Sequence, residues 1–559
     1  MNSKEINSVR NLKITSIRTI KPILASNGAN KTIIRELISS KARSRKDLAQ
    51  LKRQAAKEYE ISFPSNAELL KVYHKLLSYK RIKPSKTIEI LLRTRPVRSL
   101  SGIVNVSVLT KPYPCTGKCI YCPNQKGVPK SYLDSEPAVM RAILNKYHPY
   151  KQVRMRLRAL KDNGHPIDKV ELRIIGGTWS CYPKQYQTWF VKECFCACND
   201  FDKKTEKRRA LARLQEKNEK AKSRIVGLSI ETRPDFITKK EIKRMRKLGI
   251  TRVEMGVQSI YDNILKTIKR GHNVRETIQA TKLLKDAGFK ICYQMMPNLP
   301  GSNLEKDKKM FKELFSNPDF QPDFLKIYPT AIIKNTGLYK LWKEKKYKPY
   351  SEKELIKLIK DIKKEIPYYV RIQRITRDIP SKEIVAGPAK ISNLRQIIAE
   401  EAKKEKWRCK CIRCREARGK TLNLEKLKIF RQDYKSSGGK EIFLSFEDKK
   451  RENIYSLLRL RIPSPCPSEN TFPCLKHSAI IREVHTYGQL RPIHKKHSSK
   501  KSLQHKGLGK RLIKEAEKIA KKEFGFGKIT VISGVGVRGY YSKLGYRLRD
   551  TYMIKELGN

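Results

Sequence analysis

The sequence predicts an α/β protein whose central region is a parallel sheet made of repeated strand–loop–helix units. Two observations support this prediction. In the middle of the chain, apolar runs such as VELRIIGG, IVGLSIETRPD and KICYQMMPNLPGS alternate with Lys-rich amphipathic segments. Towards the C-terminus, the strand-like runs SLLRLRIP and AIIREVHTYG are followed by one long helical pattern after QHKGLG. We therefore expect a partial (β/α) barrel followed by a smaller mixed α/β domain.

These patterns divide the chain into four predicted segments. We expect basic amphipathic helices over 1–90, the partial barrel over 91–385, a connector over 386–450 and the mixed α/β domain over 451–559. The first segment repeats apolar residues every three or four positions between basic ones, as in TIIRELISSKARSRKDLAQLKRQAAKEY. A solvated helical face and an RNA-contacting face explain this pattern equally well.

The net charge of the chain indicates which class of binding partner to expect. The 559 residues carry 124 Lys and Arg against 54 Asp and Glu, a formal net charge of +70. A polyanion such as nucleic acid is the partner that this excess favours, although a Lys-rich proteome also adds surface lysine. No apolar run reaches the length of a signal peptide or a membrane span, so we expect a cytoplasmic protein with no membrane partner.

The stretch CTGKCIYC places Cys115, Cys119 and Cys122 in one loop ahead of the predicted sheet. Three thiolates at this spacing can hold three irons of a [4Fe-4S] cluster and leave the fourth iron without a protein ligand. That iron can chelate S-adenosylmethionine, whose reductive cleavage yields a 5′-deoxyadenosyl radical. The alternative is a zinc site with a fourth ligand from elsewhere, and the strand–helix repeats that follow favour the cluster.

Small and polar residues end the predicted strands and would meet at one barrel mouth. Gly176 and Gly177 follow VELRII, where we expect the backbone to approach a ligand closely. Glu231 ends the next strand in IETRPD, and Gln258 ends the third in EMGVQS. Because loops after parallel strands build the active site of such a barrel, we expect these groups to bind the cofactor.

Two further groups of cysteines have different interpretations. Cys409, Cys411 and Cys414 in CKCIRC predict a zinc site that stabilises a connector with little core of its own, and a histidine or cysteine of the barrel would complete it. Cys194, Cys196 and Cys198 follow an aromatic helix-like run, where residues two apart do not share a face. We interpret this group as packing residues.

The segment QHKGLGKRLI predicts a coenzyme site in the C-terminal domain. It places Gln504, Gly507 and Gly509 at the start of a helix, where backbone N–H groups can bind the pyrophosphate of acetyl-CoA. Glycines before a helix are common. The pattern gains weight from the strand IIREVHTYG before it and from GVRGYYSKLGYRL after it.

Taken together, CTGKCIYCP, IIGGTWS, GLSIETRPD, RVEMGVQS, YQMMPNLPGS, FLKIYPTAI and RDIPSKEIVAGPAKISNLRQ resemble the catalytic subunit of Elongator, the tRNA uridine(34) acetyltransferase family. The resemblance runs from about residue 30 to the C-terminus. It implies a radical S-adenosylmethionine barrel, a zinc-binding linker and a GNAT-type acetyltransferase domain. It also implies tRNA, bound through its anticodon loop, as substrate. The implied reaction uses the 5′-deoxyadenosyl radical and acetyl-CoA to build a carboxymethyl group on C5 of the wobble uridine.

The resemblance assigns individual residues as well. It implies acetyl-CoA contacts for Lys169, Glu483, Val484, His485, Thr486, Leu508, Gly509, Lys510 and Tyr541. Of these, Lys169 and Tyr541 are the predicted catalytic residues, and Lys169 lies in the barrel segment. A coenzyme contact there implies that the thioester reaches across the domain boundary.

Three residues depart from the family pattern, and two other functions compete with the one that the resemblance implies. Asn124 and Gln125 replace an expected glycine pair, and Asn298 stands where glycine is usual. A protein lysine acetyltransferase with a scaffolding barrel is the main alternative, and a non-enzymatic tRNA-binding assembly subunit is the second. The resemblance leaves open whether the chain acts alone, as a homodimer or with accessory subunits.

Overall fold

The fold was analysed in a computed structural model that describes residues 28–39, 44–201, 210–418, 424–464, 472–488 and 507–558. The chain forms two compact units. The first consists of residues 1–99 and 156–167, and the second of residues 100–155 and 168–559. Gln504, a predicted coenzyme contact, lies outside the described residues.

The first unit is helical where it is described, as the sequence predicts. Its helices are α1 (28–39), α2 (Arg45–Glu58), α3 (Asn66–Ser78) and α4 (Lys86–Leu92). Ser44 and Ser65 begin α2 and α3 with reciprocal capping boxes, which satisfy the free N–H groups of the first turn. The apolar faces of these helices meet in a core that includes Ile33, Leu69 and Tyr73.

The second unit contains a half-barrel of seven parallel strands in the order β1-β2-β3-β4-β5-β6-β8. Its strands are β1 (Val104–Leu109), β2 (Lys169–Ile175), β3 (Arg224–Thr232), β4 (Arg252–Gln258), β5 (Lys290–Met295), β6 (Phe324–Ile327) and β8 (Arg371–Arg374). A small ribbon pairs β7 (Ile332–Ile333) with β9 (Ile384–Ala386). The predicted parallel sheet is confirmed.

Helices follow the strands of the half-barrel. They are α5 (Pro137–Leu144), α6 (Pro149–Asp162), α7 (Lys184–Asn199), α8 (Leu211–Lys220), α9 (Lys239–Leu248), α10 (Asp262–Thr267), α11 (Val274–Asp286), α12 (Leu304–Ser316), α13 (Gly337–Lys343), α14 (Glu352–Glu365), α15 (Leu394–Lys404) and α16 (Ile412–Arg415). Cys194, Cys196 and Cys198 are buried on α7, which confirms their interpretation as packing residues.

A second sheet of seven strands follows, in the order β10-β11-β12-β13-β14-β16-β15. Its strands are β10 (Leu427–Ser436), β11 (Gly439–Asp448), β12 (Ile454–Ile462), β13 (Ala479–Thr486), β14 (Lys528–Val531), β15 (Arg547–Arg549) and β16 (Tyr552–Glu556). Helix α17 (Leu508–Lys522) packs its apolar face on this sheet, and α18 (Arg538–Ser542) precedes β15. Strands β10 and β11 lie within the predicted connector 386–450 and belong to this sheet, which begins at Leu427.

Buried ion pairs join the two sheets of the second unit. A register shift beside Arg459 displaces Arg482 from the regular β12–β13 pairing. The Arg482 guanidinium donates to Asp323 just before β6, to the Phe289 carbonyl just before β5 and to Glu441 on β11. Although burial alone would raise it, Arg482 and its cationic neighbours hold the pKa of Asp323 well below its usual range. Strand β13, which contains the predicted coenzyme contacts, is therefore tied to the ends of the barrel strands opposite their loops.

The length and apolar content of the described helices indicate whether any of them could span a membrane. None of the helices in the described ranges combines enough length with enough apolar character to cross a bilayer.

Candidate active site

An open cavity of about 270 Å³ lies at the carboxyl ends of the half-barrel strands. The three cysteines of the first group, Cys115, Cys119 and Cys122, line it. So do Gly177, Glu231 and Gln258, from the ends of β2, β3 and β4. The structure thus brings together residues that the sequence places up to about 140 positions apart, as expected for loops at one mouth.

Cations surround the loop that carries these three cysteines. The Arg270 guanidinium lies 3.5 Å from Cys119 Sγ and also donates to the Gly256 carbonyl on β4. Lys130 Nζ donates to the Gly117 carbonyl at 2.8 Å. An added Cβ at Gly117 would lie 2.9 Å from Arg233 Nη1, so a larger residue there would displace that guanidinium. Fixed positive charge beside thiolates suits a cluster that carries net negative charge.

The spacing of the sulfur atoms separates the two cysteine sites. In the described part of the chain, one group of three candidate ligands has all its ligand atoms within 4.8 Å, and it consists of Cys409, Cys411 and Cys414. The sulfurs of Cys115, Cys119 and Cys122 do not all lie within this distance of one another. Three ligands of one tetrahedral zinc ion lie about 3.8 Å apart, whereas ligands of a cluster each bind a different iron. The wider group therefore fits an iron–sulfur cluster.

The Gly176–Gly177 turn has two separate roles. Both residues adopt positive φ values, 132° and 90°. An added Cβ at Gly176 would lie 2.0 Å from Thr110 Oγ1, so this position needs glycine for the close approach of Thr110, the residue that follows β1. Gly177 lines the cavity and fits the predicted approach to a cofactor.

Glu231 and Gln258 present different polar groups to the cavity. The Glu231 carboxylate accepts hydrogen bonds from Tyr132 Oη at 2.7 Å, Gln294 Nε2 at 3.0 Å and Lys326 Nζ at 3.2 Å. Gln258 has a positive φ of 72°, and its buried Oε1 atom has no hydrogen-bond partner. A buried acceptor without a partner is costly unless a ligand supplies a donor, which fits the predicted cofactor contact.

A buried charge network below the cavity was not anticipated from the sequence. Glu254 on β4 pairs with Arg173, Arg252 and Lys326, and Lys326 also pairs with Glu231. Burial alone would raise the pKa of Glu254, but these cations hold it well below its usual range. The available signal was the alternation of charged with apolar residues in VELRII and RVEMGVQ, which places the charges on the inner face of the sheet.

The departures from the family pattern have local structural explanations. Asn298 adopts the left-handed conformation, with φ 65°, that glycine otherwise provides, and asparagine tolerates this conformation. Its Oδ1 atom accepts from the Tyr350 N–H at 2.8 Å. The Gln125 side chain accepts from the Asp134 N–H at 3.0 Å and so joins the cysteine loop to the segment before α5.

The second cysteine group, at α16, forms a compact thiol site. Cys409 and Cys411 are buried and Cys414 is exposed. Hydrogen bonds from Cys409 and Cys411 hold the pKa of Cys414 well below its usual range. The Lys363 ammonium on α14 lies 3.4 Å from Cys414 Sγ. Among the described residues, three candidate ligands meet at this site. No fourth Cys, His, Asp or Glu of the described residues has a ligand atom within 4.8 Å of all three.

The predicted coenzyme strand opens in the second sheet. β13 pairs with β14 only over Ala479–Ile481, although β13 continues to Thr486. Beyond Ile481 the strands separate, and α17 begins at this opening. The first turn of the helix is close to β13 there: an added Cβ at Gly509 would lie 3.6 Å from Thr486 and 3.7 Å from Val484. Gly507 begins α17 with φ 79°, Leu508 is buried and Lys510 is exposed. This opening brings a helix N-terminus to the edge of a strand, an arrangement suited to a pyrophosphate.

The remaining predicted coenzyme contacts differ in accessibility. The Glu483 carboxylate accepts a hydrogen bond from Arg459 Nε at 2.9 Å. His485 Nε2 forms a hydrogen bond with the Ser101 carbonyl at 2.8 Å. Tyr541 is buried beside Tyr546, and burial raises its pKa. Tyr540 is 42% exposed, and its hydroxyl lies nearest to the Gly509 position.

Lys169 lies at the start of β2, at the opposite end of that strand from the cysteine loop. A strand rises about 3.3 Å per residue, so these ends are about 20 Å apart. Lys169 pairs with Arg224 on β3, and Gly536, which lies between β14 and α18, packs against Arg224. Burial lowers the pKa of Lys169 to about 8. Lys169 therefore lies beside the second sheet, as a coenzyme contact requires.

Comparison with known families agrees with this architecture. Residues 113–314 match the Radical SAM superfamily, and residues 322–404 match the Radical_SAM C-terminal domain. A parallel half-barrel with three cysteines at its mouth defines the central part of the chain as a radical SAM domain. Membership of that superfamily implies S-adenosylmethionine and an iron–sulfur cluster as cofactors.

Close relatives cover nearly the whole chain. The tRNA uridine(34) acetyltransferase of Methanocaldococcus infernus is 46% identical over 94% of this chain and 98% of its own length. Elongator complex protein 3 of Homo sapiens is 36% identical over 94% of this chain and 96% of its own length. The solved structure of the archaeal Methanocaldococcus infernus Elp3 with an N-terminal deletion has 44% identity and a TM-score of 0.70, covering 82% of this chain and 100% of that one. The chain belongs to this family of tRNA uridine(34) acetyltransferases and Elongator complex protein 3.

Proposed function

We propose that the protein is a tRNA uridine(34) acetyltransferase that modifies C5 of the wobble uridine. The observation that carries this proposal is the combination in one compact unit of a cysteine-lined cavity and a splayed strand beside a helix N-terminus. Relatives with the same activity in their names match almost the full chain. An acyl transferase alone would not need the cavity, and a radical enzyme alone would not need the second sheet.

The cofactors are assigned to these sites by the fit of their residues. Cys115, Cys119 and Cys122 would hold the iron–sulfur cluster, with Gly177, Glu231 and Gln258 around S-adenosylmethionine. When bound, these groups supply the one-electron chemistry that a carbon–carbon bond at C5 requires. Glu483 to Thr486 and Gly507 to Lys510 would hold acetyl-CoA at the opening between β13 and β14. Lys169 and Tyr541 remain the proposed catalytic residues, although the burial of Tyr541 favours a positioning role.

We also propose that zinc occupies the second cysteine group. The ligand atoms of Cys409, Cys411 and Cys414 lie within 4.8 Å of one another, as thiolates around one tetrahedral ion require. The site joins α16 to the half-barrel through Lys363 of α14. Zinc there would stabilise the connector between the two sheets.

Transfer RNA is the substrate that the charge of the protein favours. Lys130, Arg141, Arg173, Arg374 and Arg377 line the cavity, and the whole chain carries +70. Phosphate contacts give such a complex a steep salt dependence. The cavity accepts a single base only after the base leaves the stack of the anticodon loop. We further propose that the protein acts in the cytoplasm, alone, as a homodimer or with accessory subunits.

The proposal is tested by anaerobic reconstitution of the full chain with iron and sulfide, followed by reaction with dithionite as electron donor, S-adenosylmethionine, acetyl-CoA and a tRNA transcript. We expect 5′-deoxyadenosine, together with a carboxymethyl group on uridine 34 detected by nucleoside mass spectrometry. A transcript with cytidine at position 34 and a reaction without acetyl-CoA are the matched controls. Acetylated lysine without 5′-deoxyadenosine would instead support the lysine acetyltransferase alternative.

A further inference from the structure

Helix α5 at the rim of the cavity has an unusual outer face. Met140, Ile143 and Leu144 are 58%, 44% and 72% exposed, and they form one contiguous apolar patch at helical spacing. The opposite face buries Val139 and Ala142. A surface helix ordinarily presents charged or polar residues on its outer face, so this apolar patch indicates a contact with another molecule.

The position of the helix connects this patch to the active site. Pro137, Ala138 and Arg141 of the same helix line the cavity with the three cysteines. The buried face packs on Val128, and Tyr147 just after the helix donates to the Gly127 carbonyl at 2.7 Å. The helix is thus fixed to the segment that follows the cysteine loop. The patch therefore lies on a helix that forms part of the cavity wall.

The charges around the patch favour RNA as the molecule that covers it. Lys118, Lys126 and Lys146 are exposed on the cysteine loop and just after α5. Arg374 and Arg377 contribute further cations at the mouth. An exposed apolar surface on a helix whose adjoining segments carry exposed lysines matches a single-stranded RNA loop, which presents base faces and phosphates together.

We propose that Met140, Ile143 and Leu144 form a platform for the unstacked bases of the anticodon loop that flank the modified uridine. The inference rests on the proposed function and adds a specific contact surface to it. When one base enters the cavity, its neighbours lose their stacking partners, and an apolar face at the rim compensates for that loss. The platform distinguishes a flexible loop from a duplex, which keeps its bases stacked.

The test uses a full-length variant with the substitutions Met140→Gln, Ile143→Gln and Leu144→Gln, which remove the apolar surface, add no charge and retain good helix formers. The control variant carries Ile429→Gln and Leu548→Gln, at positions 40% and 46% exposed on the second sheet. The RNA probes are an anticodon stem–loop with uridine at the wobble position and a fully paired duplex of equal length. Affinity is measured between about 50 and 200 mM salt.

We expect the α5 variant to bind the stem–loop about tenfold more weakly than the native protein and the duplex equally well. The slope of affinity against salt should stay unchanged, because no phosphate contact is lost. The control variant should behave as the native protein does. Because the patch is exposed in the free protein, the α5 variant should also keep its melting temperature without RNA.

Four results would overturn the inference. Equal affinity of the native and variant proteins for the stem–loop would show that the bases do not use the patch. A lower melting temperature of the free variant would indicate that another part of the chain covers α5. Conversion of a dimer to a monomer with intact RNA binding, seen by sedimentation, would assign the patch to a second copy. Failure of the native protein to bind the stem–loop would overturn the proposed function as well, and this outcome is distinct from the other three.

Discussion

The two cysteine groups of the second unit use the same residue type for different purposes. Cys115, Cys119 and Cys122 are half-buried and open to a cavity, and their sulfurs do not all lie within 4.8 Å of one another. Cys409, Cys411 and Cys414 are tightly grouped at a short helix, with two of the three thiols buried. The spacing of sulfur atoms in space, more than spacing in sequence, separates a site that can open to a substrate from a site that closes on one ion.

Each group also has one cation close to a single sulfur. Arg270 lies 3.5 Å from Cys119 Sγ, and Lys363 lies 3.4 Å from Cys414 Sγ. Arg270 is fixed by the Gly256 carbonyl, whereas Lys363 approaches from a neighbouring helix. The comparison therefore predicts that loss of a sulfur changes what each group binds, and that loss of a cation changes only how strongly or at what potential.

The largest expected effect is that of Cys119→Ser. Without this thiolate the cluster loses one of its three protein ligands, so brown colour and 5′-deoxyadenosine formation should fall to background. Visible absorption and electron paramagnetic resonance of the anaerobic protein measure the first, and chromatography of the reaction measures the second. Cys181→Ser is the matched control, because Cys181 is close to Cys115 but does not belong to the group. A cluster of native intensity in the Cys119 variant would remove the distinction between the two groups.

Cys411→Ser should have the next largest effect, on stability and not on the cluster. Cys411 is fully buried, and loss of a structural metal belongs to the mechanisms that cost more than ~4 kcal/mol. We expect the variant to lose zinc, measured by elemental analysis, and to melt at a clearly lower temperature. Its iron content should match that of the native protein. Iron loss equal to that in the Cys119 variant would show that the two groups are not separate sites.

The sequence was most informative where a pattern depends on neighbours along the chain. The parallel strands, the buried cysteines of α7 and the turn at Gly176 all follow local patterns of apolar, polar and glycine residues. The charge network of Arg173, Glu254 and Lys326 was not predicted because it depends on strands far apart in sequence; the alternation of charges could indicate their face but not their partners. The pairing of β10 with the second sheet was not predicted for the same reason, because the other strands of that sheet come later in the chain.

Lys363→Met should have a moderate effect on the second group. The ammonium offsets part of the negative charge of three thiolates, and outer partners of this kind change metal affinity about tenfold or more. We expect faster removal of zinc by a chelator, with the folded structure retained at saturating zinc. Lys364→Met is the control, because Lys364 is the adjacent residue and faces Trp407 and Glu405. Equal rates for the two variants would mean that Lys363 contributes nothing specific to the site.

Arg270→Met should have the smallest effect, and it tests whether the cation of the first group acts on the electronic state of the cluster. Reduction adds negative charge to the cluster, and a buried guanidinium beside Cys119 stabilises that charge. Its removal should make the midpoint potential more negative by ~30 mV, where 59 mV corresponds to a tenfold change for one electron. A redox titration followed by electron paramagnetic resonance, without S-adenosylmethionine, measures this directly. Arg270→Lys should give an intermediate value because it keeps the charge and loses the fixed geometry. An unchanged potential in the methionine variant would restrict Arg270 to holding the loop in place through Gly256.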